Sequence, residues 1–219
     1  MYIIIMGCGR VGSELAKLLA EENNNVAVID RNSNSFRRLG SSFNGVTIVG
    51  NGLETDLLKE AGIEKSDAFA AVTNGDNTNI MAAQIARKMF KVPKVIARVY
   101  DPQRAQIYTG LGMDIISGTV LLSSMIRDKI VESYFSSFLI ENAALGVMEI
   151  DVVGELAGKK AIEMNLPGEF QVVTVVKKDK KDKDNVVIPT VETSLSEGDK
   201  IVGVVKTASL DKVKKHLGI

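Results

Sequence analysis

The feature that most constrains the fold is a glycine pattern near the start of the chain. The letters GCGRVG, at residues 7–12, follow an apolar run at residues 2–6 and open a helical pattern at residues 11–22. An apolar strand, a G-x-G-x-x-G turn and a helix together form the first half of a β-α-β unit that holds phosphates. Asp30 ends the second apolar run, about 20 residues beyond the glycines, where such units place a ribose-binding acid. The pattern predicts a parallel sheet with a ligand site at one edge.

Each glycine has a separate physical role in this prediction. Gly7 permits the tight turn, Gly9 lets phosphate oxygens approach the backbone, and Gly12 lets the helix pack closely on the strand. Free N–H groups at the helix start attract an anion by about 0.3–1 kcal/mol. A carboxylate at Asp30 can accept both ribose hydroxyls and would repel a 2′-phosphate, which favours NAD over NADP.

Further ligand contacts are expected after the other strands. Arg31, beside Asp30, either stacks on an adenine or faces solvent. Asn51, in the letters GNG after the third strand, can hydrogen-bond an adenine edge. The stretch TNGDNTN, at residues 73–79, offers a hydroxyl and amides that either meet phosphates or cap the next helix. Capping is the predicted role of Asp76 and Asn77.

Short β-branched runs alternate with helical patterns over the first two-thirds of the chain. The predicted strands span residues 2–6, 26–30, 46–49, 68–72, 95–98 and 114–117. The predicted helices span residues 11–22, 35–39, 54–61, 77–90 and 102–111. Because most of these strands are apolar without alternation, we expect helices on both faces of a parallel sheet. The predicted fold class is α/β, a Rossmann-like doubly wound sheet.

The pattern changes near residues 134–144, which predicts a second, small C-terminal α+β domain. A long helix with a broad apolar face is predicted at residues 119–138, either as a core helix or as a contact with a second subunit. Strands at residues 147–153, 171–177, 186–188 and 200–205 and helices at residues 156–165 and 210–217 follow. The lysine-rich stretch at residues 177–185 is interpreted as a solvated hairpin tip. The predicted domains are residues 1–135 and 136–219.

Composition narrows the classes of function. Lys plus Arg and Asp plus Glu number 27 each, and this balance argues against a nucleic-acid partner. The single cysteine, Cys8, cannot form an intrachain disulfide, which fits a reducing cytosol. The first residues have the pattern of a strand and not of a signal peptide, and no apolar stretch reaches the roughly 20 residues that cross a bilayer. A soluble protein is expected, with any membrane role exerted through a partner.

Groups suited to catalysis are scarce in this sequence. The one histidine, His216, lies in a lysine-rich final helix far from the glycine pattern, and Cys8 has no base near it in sequence. No C-x-x-C or H-E-x-x-H motif indicates a metal site. A protein that senses a nucleotide is therefore favoured over a small NAD-dependent oxidoreductase, which stays as the alternative. A redox-responsive transcription regulator is the third class, and no basic helix-turn-helix pattern supports it.

Several stretches together carry a resemblance to a known family. They are GCGRVG, the acid at Asp30, AGIEKSDAFAAVT, VIARVYDP and, near the end, GKKAIEMNLPGEFQVVTVVKK and LSEGDKIVGVV. The chain resembles the regulatory subunits of bacterial potassium-uptake systems of the Trk and Ktr type, built on the domain that regulates potassium conductance (RCK). The similarity runs over nearly the whole chain and is far more specific than the glycine pattern alone.

The resemblance implies a non-enzymatic cytosolic subunit that binds NAD(H), ATP, ADP or AMP. Such subunits dimerise through helices after the fifth and sixth strands and assemble into an octameric ring beneath a membrane potassium-translocating subunit. In related proteins the arginine of the glycine loop contacts nucleotide phosphates, and that role falls here on Arg10, whose guanidinium group suits phosphate. Arg98, at the end of the fifth strand, either reaches phosphate or holds the subunit contact.

Two positions depart from the pattern of many relatives. Asn51 stands where an aspartate is common, so the nucleotide preference is expected to differ. The letters SGTVL, at residues 117–121, replace a Pro-Glu pair, and if that glutamate places a divalent cation in ATP-sensing members, magnesium-ATP gating through this position is not expected here. A ring shared with a second, related regulatory subunit is a further hypothesis. The predicted ligand-binding residues, with no catalytic or metal-binding residue among them, are Gly7, Cys8, Gly9, Arg10, Val11, Gly12, Asp30, Arg31, Asn51, Gly52, Thr73, Asn74 and Arg98.

Overall fold

A computed structural model describes residues 1–130, 135–136, 144–178 and 184–219 of the chain. Two compact units are formed, Met1–Val120 and Leu121–Ile219. The first unit ends inside the helix Gly118–Ile130. The domain boundary predicted from the sequence lies further along the chain, between residues 135 and 136. None of the helices in the described ranges combines the length and the apolar character that crossing a membrane requires.

The first unit is built on a six-stranded sheet whose strands are all parallel. The strands are β1 (Tyr2–Met6), β2 (Asn25–Asp30), β3 (Val46–Val49), β4 (Ala68–Ala71), β5 (Lys94–Arg98) and β6 (Asp114–Ile116). Their order across the sheet is β3-β2-β1-β4-β5-β6, so the direction in which the chain adds strands reverses between β1 and β4. This arrangement confirms the predicted Rossmann-like doubly wound sheet.

Helical segments connect the strands of this sheet. They are α1 (Arg10–Glu21), a 3-10 helix (Ser33–Leu39), α2 (Thr55–Glu60), α3 (Asp76–Gln84) and α4 (Pro102–Gly110), and α5 (Gly118–Ile130) follows β6. The helix predicted at residues 77–90 changes after α3 into a π-helical turn, Ile85–Met89. The wider turn is marked by the N–H of Phe90 donating to the carbonyl of Ile85, five residues back, at 3.3 Å.

Alternate residues of β1 enter two separate hydrophobic clusters. Ile4 and Met6 belong to one cluster, whereas Ile3 and Ile5 belong to the other, and all four are buried. Because successive side chains of a strand point to opposite faces, both faces of the sheet are covered, as the apolar runs predicted. Each fully buried aliphatic side chain contributes roughly 1.5–3 kcal/mol, so the strand that carries the glycine loop is held firmly in place.

The second unit contains a five-stranded antiparallel sheet. Its strands are β7 (Phe135–Ser136), β8 (Leu145–Asp151), β9 (Phe170–Lys178), β10 (Asp184–Val187) and β11 (Lys200–Lys206), in the order β10-β9-β11-β8-β7. The last helix, α6 (Leu210–Leu217), buries Val213 and Leu217 in the hydrophobic cluster of this unit. The predicted small α+β fold is confirmed.

One helix prediction in this part of the chain is confirmed only in part, and a second is wrong. The helix predicted at residues 119–138 ends at Ile130, and residues 135–136 instead form β7, which pairs with β8. Residues 131–134 and 137–138 of that prediction lie outside the described residues. The helix predicted at residues 156–165 is two short 3-10 helices, Gly154–Leu156 and Ala161–Met164. Between them Gly158 has φ +88°, a left-handed conformation that stops a helix.

The lysine-rich stretch at residues 177–185 joins two antiparallel strands. β9 and β10 pair as far as Lys178 and Asp184, as the hairpin prediction requires. Residues 179–183, the predicted tip, lie outside the described residues.

Candidate functional site

A cavity of about 590 Å³ lies at the carboxyl ends of four strands of the parallel sheet. The site is at the point where the strand order reverses, which is where open α/β sheets bind ligands. Its volume lies within the range of about 300–1,000 Å³ that small-molecule sites occupy. The lining residues are Gly7, Gly9, Arg10 and Val11 after β1, Asp30, Ser35 and Arg38 at and after β2, Val72, Thr73 and Asn74 after β4, and Arg98 and Tyr100 at and after β5.

A smaller cavity of about 220 Å³ shares part of this wall. Gly7, Asp30, Thr73 and Asn74 line both cavities. Arg31, Asn51 and Gly52 line the smaller one alone. Of the residues predicted to bind ligand, Cys8 and Gly12 line neither cavity, and the structure brings all the others together.

The turn after β1 requires glycine at two positions. Gly7 has φ +105°, and a Cβ atom there would lie 2.9 Å from the backbone nitrogen of Thr73. A Cβ atom on Gly12 would lie 1.9 Å from the carbonyl oxygen of Gly7. Neither contact is sterically allowed, so the close packing of helix on turn depends on these two residues.

The start of α1 presents unsatisfied N–H groups to the larger cavity. Apart from Gly9 and its neighbours in the chain, no described residue comes within 4 Å of the place where a Cβ atom of Gly9 would be, so this side of the loop is open. The first N–H groups of a helix have no intrahelical acceptor. No acidic residue occupies the first turn of α1. An anion bound there would therefore accept hydrogen bonds and also interact favourably with the helix dipole.

Both carboxylate oxygens of Asp30 accept hydrogen bonds from the backbone. The Oδ2 atom accepts from the N–H of Cys8 at 2.7 Å, and the Oδ1 atom accepts from the N–H of Asn32 at 2.8 Å. The first bond ties the end of β2 to the glycine loop, so Asp30 organises the site as well as facing it. Each oxygen keeps a further lone pair that can accept from a donor in the cavity.

The side chain of Cys8 lies in the core and not in the cavity. It is fully buried, and its Sγ donates to the carbonyl of Ser35 at 3.5 Å. Burial raises the pKa of the Cys8 thiol, the Asp30 carboxylate raises it further, and Arg38 opposes them. The group therefore stays protonated near neutral pH, and Cys8 serves the site through its backbone N–H.

A chain of hydrogen-bonded side chains borders the smaller cavity. The Nη2 of Arg31 donates to Oδ1 of Asn51 at 2.7 Å, and Nδ2 of Asn51 donates to Oε1 of Glu54 at 3.2 Å. The guanidinium group of Arg31 is thus held to a neighbouring loop, an arrangement that the sequence alternatives did not include. The side-chain amide of Asn51 is therefore already engaged by Arg31 and Glu54.

Asn79 holds two strand ends together, and sequence reasoning missed it. The residue is fully buried. Its Oδ1 accepts from the N–H of Thr73 at 2.9 Å and from the Thr73 hydroxyl at 2.6 Å. Its Nδ2 donates to the carbonyls of Thr73 at 3.0 Å and Arg98 at 2.9 Å. The stretch TNGDNTN predicts polar contacts at this place, but the register of α3 determines that Asn79 is the asparagine whose side chain is buried.

The helix caps predicted at Asp76 and Asn77 are wrong. The N-cap residue of α3 is Gly75, which makes no side-chain hydrogen bond. The carboxylate of Asp76 instead accepts from the N–H groups of Tyr100 and Asp101 at 2.8 and 3.1 Å. Asn77 accepts from an arginine of α4. The bonds to Asp76 fix the segment after β5 that brings Tyr100 to the cavity wall.

Three guanidinium groups line the larger cavity, those of Arg10, Arg38 and Arg98, together with a single carboxylate, Asp30. Arg98 lies over the ring of Tyr100, 4.0 Å from its centroid, in a cation–π contact. The guanidinium groups of Arg10 and Arg38 make no hydrogen bond or ion pair with any residue in the described ranges. This excess of positive charge indicates an anionic ligand. The sequence does not single out Arg38, because Arg37 precedes it in the same short segment and the pattern does not show which of the two faces the cavity.

Residues suited to acid–base or metal chemistry are few around the cavities. Neither cavity is lined by a histidine, lysine, cysteine or glutamate. His216 lies on α6, in the second unit. Within the described part of the chain, no group of His, Cys, Asp and Glu side chains is placed to hold a metal ion.

The fold and the crevice define a Rossmann-like protein whose ligand site lies at a glycine turn. The family model of the TrkA-N domain matches residues 3–118, more than half of the chain. The chain is 38% identical over 215 residues to the Trk system potassium uptake protein TrkA of Streptomyces coelicolor, covering 98% of this chain and 94% of that protein. It therefore belongs to the TrkA family of Trk-system potassium uptake proteins, which confirms the resemblance found in the sequence.

Other relatives and solved structures agree with this assignment. A TrkA homolog of Pyrococcus horikoshii is 30% identical over 98% of this chain and 96% of its own length. The GsuK RCK domain is similar with a TM-score of 0.54 at 22% identity, covering 99% of this chain and 46% of that one.

Two structures of GsuK hold nucleotides. The channel bound to NAD has a TM-score of 0.51 at 23% identity and covers 99% of this chain and 38% of that one. GsuK bound to ADP has a TM-score of 0.52 at 22% identity and covers 60% and 34%. This chain therefore spans less than half of the GsuK chains, and the likeness at these identities concerns the fold.

Proposed function

We propose that the chain is a cytosolic, non-enzymatic regulatory subunit of a Trk/Ktr-type potassium uptake system that binds NAD(H) or an adenine nucleotide (AMP, ADP or ATP). Membership of the TrkA family supports the transport system. One observation carries the ligand class. An open helix N-terminus, two guanidinium groups without a partner among the described residues, and Asp30 line a single cavity. Such groups bind phosphates and sugar hydroxyls. The lining offers no histidine, lysine or cysteine as a general base or nucleophile.

The two cavities suggest the orientation of the nucleotide. The smaller one, lined by Asn51 and Gly52, would take the adenine. Asp30, which lines both cavities, would accept the ribose hydroxyls, and the phosphates would lie against Gly9 and Arg10. GsuK, which shares this fold, is bound to NAD in one structure and to ADP in another, which supports this class of ligand.

Exposed apolar side chains on two helices support an assembly of several copies. On α5 the exposed fractions are 60% for Leu122, 53% for Ile126 and 76% for Ile130, and on α4 the value is 60% for Ile107. Helix faces of this kind mark contacts with another chain. We place the homodimer contact on these helices. We further propose that the dimers assemble into an octameric ring, built by this chain alone or with a second regulatory subunit. The ring would lie beneath a membrane potassium-translocating subunit. No nucleic-acid partner is proposed.

Regulation then requires nucleotides that bind two states of the ring with different affinity. A ligand with equal affinity for both states shifts nothing, however tightly it binds. A coupling of roughly 1–3 kcal/mol per site, summed around a ring, would strongly shift the state that the membrane subunit senses.

The test is a thermal-shift titration of the full chain with AMP, ADP, ATP, NAD, NADH and NADP. We expect stabilisation by the adenine ligands, weakest for NADP, because a ligand that binds the native state raises its stability by RT ln(1 + [L]/Kd). Asp30→Ala should strongly reduce the shift, and Arg10→Ala should reduce it most for the longer phosphate chains.

The competing class is a small NAD-dependent oxidoreductase. NADH absorbance followed with a panel of carbonyl substrates separates the two classes. Binding without turnover is the expected result, and stoichiometric oxidation of NADH at a useful rate would contradict the proposal. An absence of any shift with all six nucleotides would contradict the ligand class itself.

A further inference from the structure

Three arginines reach the larger cavity from three different elements. Arg10 opens α1, Arg38 lies in the 3-10 helix after β2, and Arg98 ends β5. In the sheet, β2 and β5 lie on opposite sides of the central pair β1 and β4. The cationic groups therefore approach the cavity from separate directions and are not a cluster on one helix face.

The residues that the structure describes do not neutralise the positive charge of this cavity. Guanidinium groups are always protonated, so the lining carries three cations against the single carboxylate of Asp30. Both oxygens of Asp30 already accept backbone N–H groups. The guanidinium groups of Arg10 and Arg38 have no partner in the described chain. A ligand with several negative charges would relieve the repulsion among these cations, whereas a ligand with one phosphate would leave much of it.

The groups at the glycine loop suffice for the phosphate next to the ribose. The open N–H groups at the start of α1 would bind that phosphate, and the adjacent Arg10 would interact with it and with the phosphates beyond it. Arg98 has one face occupied by the Tyr100 ring. The N–H donors of Arg38 have no acceptor among the residues that the structure describes. A guanidinium group pairs with phosphate through two parallel hydrogen bonds.

We propose that Arg38 is a specificity-determining residue of the crevice, which binds a phosphate beyond the first and so makes affinity depend on the length of the phosphate chain. The inference rests on the proposed function, since it assumes that the crevice binds adenine nucleotides. Its ligand class is a nucleoside di- or triphosphate, favoured over AMP and over dinucleotides, whose two bridging phosphates carry one negative charge each and leave no terminal phosphate.

The experiment is calorimetric titration of the full chain with AMP, ADP, ATP, NAD and NADP in EDTA, for the native sequence, Arg38→Ala, Arg38→Lys and Arg37→Ala. Arg37 is the matched control, because it is adjacent in the same 3-10 helix and exposed but lines neither cavity. Charge-assisted hydrogen bonds are worth enough that Arg38→Ala should weaken ATP binding about 10-fold or more and AMP binding less than about 2-fold. Arg38→Lys should recover part of the loss, and Arg37→Ala should leave all five affinities unchanged.

Several results would overturn the inference while leaving the proposed function intact. One is an equal loss for AMP, ADP and ATP in Arg38→Ala, and another is no loss at all. If Arg38→Ala weakened the binding of NADP alone, Arg38 would contact the 2′-phosphate on the ribose and not the phosphate chain. Failure of the native protein to bind any of the five ligands would overturn the proposed function together with the inference.

Discussion

At the scale of single residues, the buried side chain of Asn79 controls the geometry of the ligand-binding edge. Its amide oxygen accepts two hydrogen bonds and its amide nitrogen donates two, so its bonding capacity is used at the ends of β4 and β5. Thr73 and Arg98, the residues that it contacts, both line the larger cavity. A buried amide that makes four hydrogen bonds requires asparagine at this position, because no other side chain of this size both donates and accepts in this way.

The replacement Asn79→Asp tests this role. A carboxylate keeps the acceptor oxygen but loses both donated bonds, and it places a negative charge against two carbonyl oxygens. Unsatisfied buried groups cost about 1–3 kcal/mol each and charged ones more, so we expect the free energy of unfolding to fall by about 3 kcal/mol or more. Urea unfolding monitored by circular dichroism measures it. Asn77→Asp, at an exposed position of the same helix, is the control, and a loss below about 0.5 kcal/mol for Asn79→Asp would contradict the role.

Single-residue roles were predictable where one residue type is sterically or chemically required. Gly7, Gly12 and Asp30 follow from the motif, because the turn and its acid recur at fixed spacing. Arg38 and Asn79 did not follow, because neither belongs to a motif. Asn79 bonds to Arg98 on a neighbouring strand, and Arg38 reaches the cavity only because of how the segment after β2 folds. Cys8 illustrates the opposite error, since its place in the motif suggested a ligand contact while its side chain packs into the core.

At the scale of secondary structure, α6 is joined to the sheet of the second unit by an ion pair. Lys212 of α6 contacts Glu169, the residue before β9. The hydrogen bond from Lys212 is the main cause that lowers the pKa of the Glu169 carboxyl, and nearby Ser209 and Lys206 lower it further against the effect of desolvation. Val213 and Leu217 bury the opposite, apolar side of the helix. The ion pair therefore adds a pH-dependent contribution to a contact that is otherwise hydrophobic.

The substitution Glu169→Gln should make this contribution visible. A carboxyl whose pKa is lower in the folded state stabilises the fold above its unfolded pKa of about 4.3, and this stability is lost as the pH falls through the folded value. The native chain should thus be more stable than the variant at pH 7, and the difference should shrink on acidification toward pH 3. Thermal unfolding across this range measures it. Glu155→Gln, an exposed glutamate without an ion pair among the described residues, should show no such trend, and a pH-independent gap for Glu169→Gln would contradict the assignment.

Elements were predictable where the local pattern is strong. The strands of the parallel sheet lie within a residue or so of their predicted bounds, because each is a short apolar run between loops. The last helix is likewise correct, and it ends at Gly218 in the left-handed conformation that terminates helices. The helix predicted at residues 156–165 failed because Gly158 interrupts it, although its apolar spacing resembles that of a helix.

At the scale of the whole molecule, the proposed assembly would use surfaces that a single chain leaves apolar. Ile126 is 53% exposed and lies on α5 near Leu122 and Ile130, which are also exposed. Burying such side chains against another copy would contribute about 25 cal/mol per Å² of apolar surface removed from water. A charge in the middle of the contact would have to be desolvated without a partner.

We therefore expect Ile126→Glu to shift the protein toward smaller species. Size-exclusion chromatography with light scattering gives the mass directly, and it should fall relative to the native chain at the same concentration. Leu18→Glu, which changes a side chain on α1 that is 52% exposed, is the matched control and should keep the native mass. An unchanged mass for Ile126→Glu, with the fold intact by circular dichroism, would place the contact between copies elsewhere.

The sequence by itself determined the parallel sheet, the glycine turn with its acid and the family, because these depend on local periodicity and on motifs whose spacing is set by the backbone. Only the tertiary structure decided which of two adjacent arginines enters the cavity, which asparagine joins β4 to β5, and where Asp76 and Cys8 direct their side chains. Those outcomes depend on the register of short helices and on contacts between residues far apart in the chain. A linear pattern does not specify these contacts, because each becomes favourable only after the strands have come together.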